Sequence, residues 1–236
     1  MKSLLKKYFE ILTQSKLYRN TLPRGVDIFR DIKRIYPYAL NEIWDIGAHK
    51  GETTLYFRSQ NQSSTIRSFE PVSENFAILS KNCHNLKNQF SYKIAMGNES
   101  NNLELFLQEA SVIHSLREDL NKPSSENAKS EVIQQKTIDS QFKKFQCKSI
   151  DLLKIDVEGY ELQVLQGAVE CLQNKKIQFI YLETGLDDRF NSLQTIIDKL
   201  ALYRYQPFGI YEQTPHWTGK QNLWYWNTLF ANEEIL

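Results

Sequence analysis

The chain has 236 residues, of which 41% are hydrophobic and 24% charged, and it carries a net charge of +1. That length buries a full core within one domain, and that composition excludes a disordered or membrane-embedded chain. The near balance of charge gives no reason to expect nucleic acid or a strongly acidic partner, and no window approaches the roughly 18 apolar residues of a membrane span.

Residues 1–12 read as an amphipathic helix with Leu4, Leu5, Tyr8, Ile11 and Leu12 on one stripe, while Glu10 interrupts what would be the apolar centre of a signal peptide. Docking on the domain is the expectation for this helix, with peripheral contact at a membrane surface as its alternative. A second helix runs from Val26 to Tyr36 and is ended by Pro37. Residues 1–40 are thus a helical extension of a domain spanning 41–236 rather than a domain of their own.

The core begins with the short apolar run Ile43, Trp44 and Ile46, the mark of a strand covered on both faces. Gly47 and Gly51 punctuate it, and helical spacing resumes over 51–59. In an open parallel sheet ligands bind beyond the carboxyl ends of strands, and glycine there lets the backbone approach them. Asp45 ends this strand, and Glu70 ends the next, over 64–70. An acid about 20 residues past a glycine turn is placed to bind ribose hydroxyls. The Gly-x-x-x-Gly spacing puts His49 where a dinucleotide fingerprint carries its second glycine, which favours a ligand without phosphates.

A helix opened by Ser73 as N-cap and a strand from Gln89 to Met96 continue the alternation of strand and helix that predicts a parallel sheet. From 97 to 148 the pattern loosens, with an edge strand at Leu103–Leu107, a short mixed run holding His114, and a mobile loop over about 117–130. Order returns at Ile150, where alternation puts Leu153, Ile155 and Val157 on one face and Lys154, Asp156 and Glu158 on the other. Three charges on an interior strand are costly unless they lie at the ligand end, so they are expected at the sheet's carboxyl edge near Asp45. A helix from Tyr160 to Leu172, a strand over 177–183, a helix over 189–201 and two terminal strands complete the chain. Cys83, Cys147 and Cys171 are scattered, as structural thiols in a reducing compartment would be, and a cytoplasmic location is expected.

Three runs now carry a resemblance: Trp44 to Gly51 with Ser68-Phe69-Glu70-Pro71, then Ala95-Met96-Gly97, then the long stretch from Asp151 to Ala168. Together they resemble the FkbM family of S-adenosylmethionine-dependent methyltransferases, over about residues 42–185. The resemblance implies an α/β, Rossmann-like class I methyltransferase fold, a seven-stranded and mostly parallel sheet with an antiparallel last strand, preceded by N-terminal helices. It implies that Asp45, Gly47, His49 and Gly51 line the methionine part of the cofactor, that Glu70 with Pro71 binds the ribose, and that Ala95 and Met96 flank the adenine. Lys154, Asp156 and Glu158 then border the transferred methyl.

An alcohol acceptor must lose its proton, and the candidate bases are Asp156, Glu158, Glu183, His114 and His216, with Asp156 first because it ends the strand beside the glycine turn. Asp156 could equally hold the cofactor's amino group, and His114 could be a solvated surface residue. Asp156, Glu158 and Glu183 could together hold a divalent metal. Trp217, Trp224 and Trp226 suit stacking on a sugar ring at the mouth of a site, with core packing as the alternative. The expected function is O-methylation of a sugar, glycan or other polyhydroxylated acceptor. A nicotinamide- or nucleotide-sugar-dependent enzyme and a non-catalytic binding module are the rival readings.

Overall fold

The structure is a computed structural model, and it describes residues 12–13, 22–107, 114–123, 128–186, 191–215 and 223–236. The expectations for residues 1–11, His216 and Trp217 lie outside these residues. Helix α1 (Ile28–Ile35) precedes strand β1 (Glu42–Ile46), helix α2 (Glu52–Gln60), strand β2 (Thr65–Phe69), helix α3 (Ser73–Cys83) and strand β3 (Gln89–Tyr92). Strands β4 (Ala95–Met96), β5 (Asn102–Phe106) and β6 (Ser130–Lys136) lead into helix α4 (Ile138–Lys144) and strand β7 (Ile150–Ile155). Helices α5 (Glu161–Gln166) and α6 (Val169–Gln173), strand β8 (Ile177–Gly185), helix α7 (Leu193–Ala201) and strands β9 (Tyr205–Pro215) and β10 (Leu223–Asn232) follow.

Seven strands form one sheet in the order β3-β2-β1-β7-β8-β10-β9. The contacts from β3 to β8 are parallel, and β10 runs antiparallel to both of its neighbours, as the resemblance implied. This is the Rossmann-like class I methyltransferase architecture. Successive residues of each inner strand divide between two cores, because side chains alternate across a sheet. Trp44, Ile46, Leu153, Ile155, Ile180 and Leu182 meet α5, α6 and α7 on one face. Ile43, Leu152, Phe179 and Tyr181 meet Ile28 and Ile32 of α1 on the other. The leading helix is thereby part of the domain core. Asp31 fastens it: this buried carboxylate accepts from the Gly25 amide at 2.8 Å and the Tyr211 hydroxyl at 2.9 Å, and pairs with Arg34.

Several local expectations are corrected. The strand expected from Gln89 to Met96 divides, because Ala95–Met96 leaves the large sheet to pair with β6 in a second sheet of order β4-β6-β5. Ser73 is not the N-cap of α3, since Val72 holds that position without a side-chain bond. Carboxylates from elsewhere satisfy the helix start instead, Glu131 accepting from the Ser73 amide and Glu70 from the Val72 amide, each at 3.0 Å. The helix expected over 160–172 breaks at Gly167, and Asp139 caps its second half by accepting from the amides of Glu170 and Cys171 at 2.9 Å. In the described part of the loop over 117–130, Asn121 accepts from the Phe106 amide and donates to the Glu104 carbonyl, both at 2.8 Å. Strand β6 and helix α4 lie in the stretch where the pattern had loosened.

Candidate active site

The carboxyl ends of β1, β2 and β7 enclose a cavity of about 260 Å³. Its floor is the β1–α2 turn, whose backbone is bent by residues in the left-handed region. Gly47 has φ 74°, and a Cβ there would overlap the carbonyl oxygen of Asp156 on the neighbouring strand end. Gly51 has φ 94°, and its Cβ would lie 2.9 Å from Leu79 of α3. The glycines are therefore required by packing within the protein. Gly47 lines the cavity, whereas Gly51 stands behind it.

Of the two acids that frame the turn, only one faces the cavity. Glu70 is buried, yet it lines the wall, accepting from the His49 amide through Oε2 and the Val72 amide through Oε1, both at 3.0 Å. A carboxylate has about four acceptor positions, so it keeps capacity for a pair of hydroxyls. Burial pushes its pKa up to about 7, against the lowering by these amides, the Asn75 side chain and Lys154.

Asp45, expected beside the cofactor, is fully buried and lies outside the lining. Its Oδ2 accepts from the Thr54 hydroxyl at 2.7 Å, and its Oδ1 lies 3.0 Å from Lys154 Nζ. Lys154 also donates to the Gly47 carbonyl at 2.9 Å and lies 3.4 Å from Asp156 Oδ2. Burial alone would lower the lysine's pKa, but Asp45 and Asp156 outweigh it and hold the ammonium above its ordinary range. Asp45 thus acts on the site through Lys154, which braces the glycine turn and orients Asp156.

Asp156 follows the last residue of β7, and its amide donates to the Ile46 carbonyl at 3.1 Å. Lys154 and Asp156 do lie at the sheet's carboxyl edge near Asp45, as expected. Glu158 departs from the alternation, because β7 ends at Ile155 and Glu158 sits in a tight turn with φ 53°. Buried Glu161 holds that turn by accepting from the amides of Val157 at 3.2 Å and Gly159 at 3.1 Å. Asp156 and Glu158 both line the cavity.

Ala95 and Met96 line the opposite end with Val72, Ile94, Leu105 and Leu116, an apolar slot closed by the small sheet. His49 and Pro71 sit on the wall between. His114 also lines the cavity, half-buried rather than on an open surface. Burial and the nearby His49 lower its pKa, so the ring is neutral at pH 7 and able to accept a proton. Trp226 is buried, its ring N–H donating to the Thr228 hydroxyl at 3.1 Å, so it belongs to the core and not to a stacking surface. Trp224 is half-buried with its ring edge-on to Tyr225.

Thr54, Asn75, Leu105, Leu116 and Glu161 complete the arrangement and were not singled out in the sequence. Only Glu161 had a local signal, an acid in the first turn of a helix directly after a glycine. A second cavity of about 290 Å³ adjoins the first, sharing Glu52, Thr53, Lys154 and Asp156 and walled by Val26, Ile28, Tyr56, Tyr181, Tyr211, Glu212 and Asn227.

A family model for the methyltransferase FkbM domain matches residues 45–207, well over half of the chain. The chain belongs to the FkbM methyltransferase family. This membership sets aside the nicotinamide and nucleotide-sugar reading. No curated protein matches the sequence significantly. Among solved structures, the FkbM methyltransferase from Methylobacillus flagellatus is 16% identical and superposes with a TM-score of 0.54, over 82% of this chain and 44% of that one. This FkbM-family chain therefore spans under half the length of that relative, and the likeness supports the fold. Precorrin-6y C5,15-methyltransferase from Geobacter metallireducens is 9% identical with a TM-score of 0.45, covering 84% of each chain. M. capricolum TrmK, solved with S-adenosyl-homocysteine, is 13% identical with a TM-score of 0.46, covering 86% of this chain and 67% of that one.

Proposed function

We propose that this protein transfers a methyl group from S-adenosylmethionine to a hydroxyl oxygen of a sugar or other polyhydroxylated acceptor. The observation that carries this reading is one cavity with a partly engaged carboxylate on its wall, an apolar slot at one end and a lysine-oriented acid at the other. Glu70 would accept from the ribose hydroxyls, and Val72, Ala95, Met96, Leu105 and Leu116 would bury the adenine. The Gly-x-x-x-Gly turn, with His49 between its glycines, agrees with a nucleoside that carries no phosphate.

When bound, S-adenosylmethionine supplies a methyl group on a sulfonium whose positive charge is lost as the methyl leaves. The acceptor's proton passes to Asp156, with Glu158 and His114 as neighbouring alternatives. Lys154 holds Asp156 at the cavity edge, so the base is oriented before the acceptor arrives. The acceptor reading is also supported by the second cavity, whose wall carries Tyr56, Glu212 and Asn227 beside Tyr181 and Tyr211, the last two with hydroxyls already donated to Glu212 and Asp31. Three free thiols suit the reducing cytoplasm expected from the sequence. Among the described residues, no helix is long and apolar enough to cross a membrane.

Calorimetric titration with S-adenosylmethionine and with its demethylated product tests the cofactor. Both should bind, and Glu70→Ala should weaken them by roughly tenfold or more, the value of charge-assisted hydrogen bonds. Absence of binding would leave the non-catalytic module as the reading. Asp156→Asn should bind the cofactor and lose turnover by about a hundredfold or more if Asp156 is the base.

A further inference from the structure

Three carboxylates converge beside the cavities, of which Asp156 lines both and Glu158 the first. Asp156 and Glu158, on the turn after β7, and Glu183, on β8, each offer an oxygen, and the three oxygens lie within 4.8 Å of one another. Glu183 is the most telling of them. It is 8% exposed, and its Oε2 has no hydrogen-bond partner among the described residues. An acceptor oxygen taken out of water and left unmatched is costly unless a ligand completes it.

Lys154 lies 3.4 Å from Asp156 and 3.0 Å from Asp45, so its ammonium is shared between two acids. The scaffold around the triad is fixed independently. Glu161 ties the Asp156–Glu158 turn through two amides, and Asn191 Nδ2 holds Glu161 Oε2 at 2.7 Å. Glu161 is therefore committed to this turn and to Asn191, and an oxygen of each of the three convergent acids lies close by the other two.

We propose that Asp156, Glu158 and Glu183 hold a divalent cation of the Mg²⁺ or Mn²⁺ class. All-oxygen, carboxylate-rich sets select hard cations of this kind, which keep several waters when proteins supply only a few ligands. Oxygens around an octahedral ion at about 2.1 Å lie roughly 3 to 4 Å apart, a separation that small rotamer changes reach from the observed triangle. Asp156 lines both cavities, so the ion's remaining positions open toward the acceptor side. Resting on the methyltransferase reading, the ion would bind the acceptor hydroxyl directly and lower its pKa, and with Asp156 and Glu158 engaged as ligands the proton would pass to His114.

Mn²⁺ is the probe, added to the full chain with and without S-adenosylmethionine and followed by electron paramagnetic resonance and calorimetry. One Mn²⁺ should bind per chain, and Glu183→Gln and Glu158→Gln should each weaken it at least tenfold. Titration of both variants with S-adenosylmethionine shows whether the nucleoside site survives, which separates failure of the cation site from failure of the cofactor reading. Glu158→Gln, on the half-exposed turn, keeps the test decisive should the buried Glu183→Gln substitution impair folding. Absence of Mn²⁺ binding at millimolar concentration, or binding that both variants leave unchanged, overturns the proposal.

Discussion

The two ends of the cavity are built on opposite principles. At the β4-β6-β5 end, Val72, Ala95, Leu105 and Ile133 close the slot with apolar contact alone. At the β1-β7 end, Asp45, Lys154 and Asp156 are ordered by charge in a place where water does not reach Asp45 at all. Shape tolerates a change of pH, whereas buried charge does not, and its members stand or fall together.

Lys154→Met separates the two ends most sharply. It leaves Asp45 buried without its counter-ion and should cost about 3–5 kcal/mol in denaturant unfolding, since an orphaned buried charge is worse than no pair. A loss below about 1 kcal/mol would mean that water or a rearranged partner compensates, and the charged end would not differ from the apolar one.

Glu70, on the wall between the ends, gives the next largest effect and the pH signature. Its folded pKa of about 7 is above the ordinary 4.5. The stability tied to its protonation is therefore fully present below pH 4.5 and is lost as pH rises through 7. At about 1.36 kcal/mol per pH unit this amounts to about 3 kcal/mol. Glu70→Gln should be less stable than the parent protein at low pH relative to its standing at pH 8, as measured by unfolding across that range. A ligand that donates hydroxyls to Glu70 prefers the carboxylate, so cofactor affinity should rise from pH 6 to pH 8 in the parent protein and stay flat in Glu70→Gln.

Leu105→Ala tests the apolar end. It should cost about 2 kcal/mol, the low end for a buried leucine because the site already faces a cavity, and the loss should be the same in low and high salt. The smallest effect belongs to Lys93, whose ammonium lies 2.8 Å from Glu131 on the outer rim of that same end and is largely exposed. Lys93→Ala should change stability by less than about 1 kcal/mol, and salt should abolish the difference.

The inner strands were legible because β1 reads as a short apolar run, the pattern of a strand covered on both faces, and β7 shows period-2 alternation. Strand β6 was not, because its pattern is inverted: Val132 is 73% exposed while Gln135 is fully buried. The N-terminus of α3 misled for another reason, since its caps come from Glu70 and Glu131, residues that no local window connects to Ser73. Spacing placed Asp45 and Glu70 at strand tips, but it does not say which way an acid points. Asp45 turned inward to Thr54 and Lys154, and Glu70 turned to the cavity. Glycine spacing likewise located the turn, while its cause, the Asp156 carbonyl packed against Gly47, belongs to tertiary contact.

The leading helix has a reach beyond its size. Asp31 secures Tyr211, and Val26, Ile28 and Tyr211 all wall the chamber next to Asp156, yet Val26, Ile28 and Asp31 precede the span matched to the family. The chemistry-bearing core and one side of its antechamber are thus encoded in separate stretches of chain. Recasting that opening segment would reshape what the antechamber admits without disturbing a single group at the strand tips.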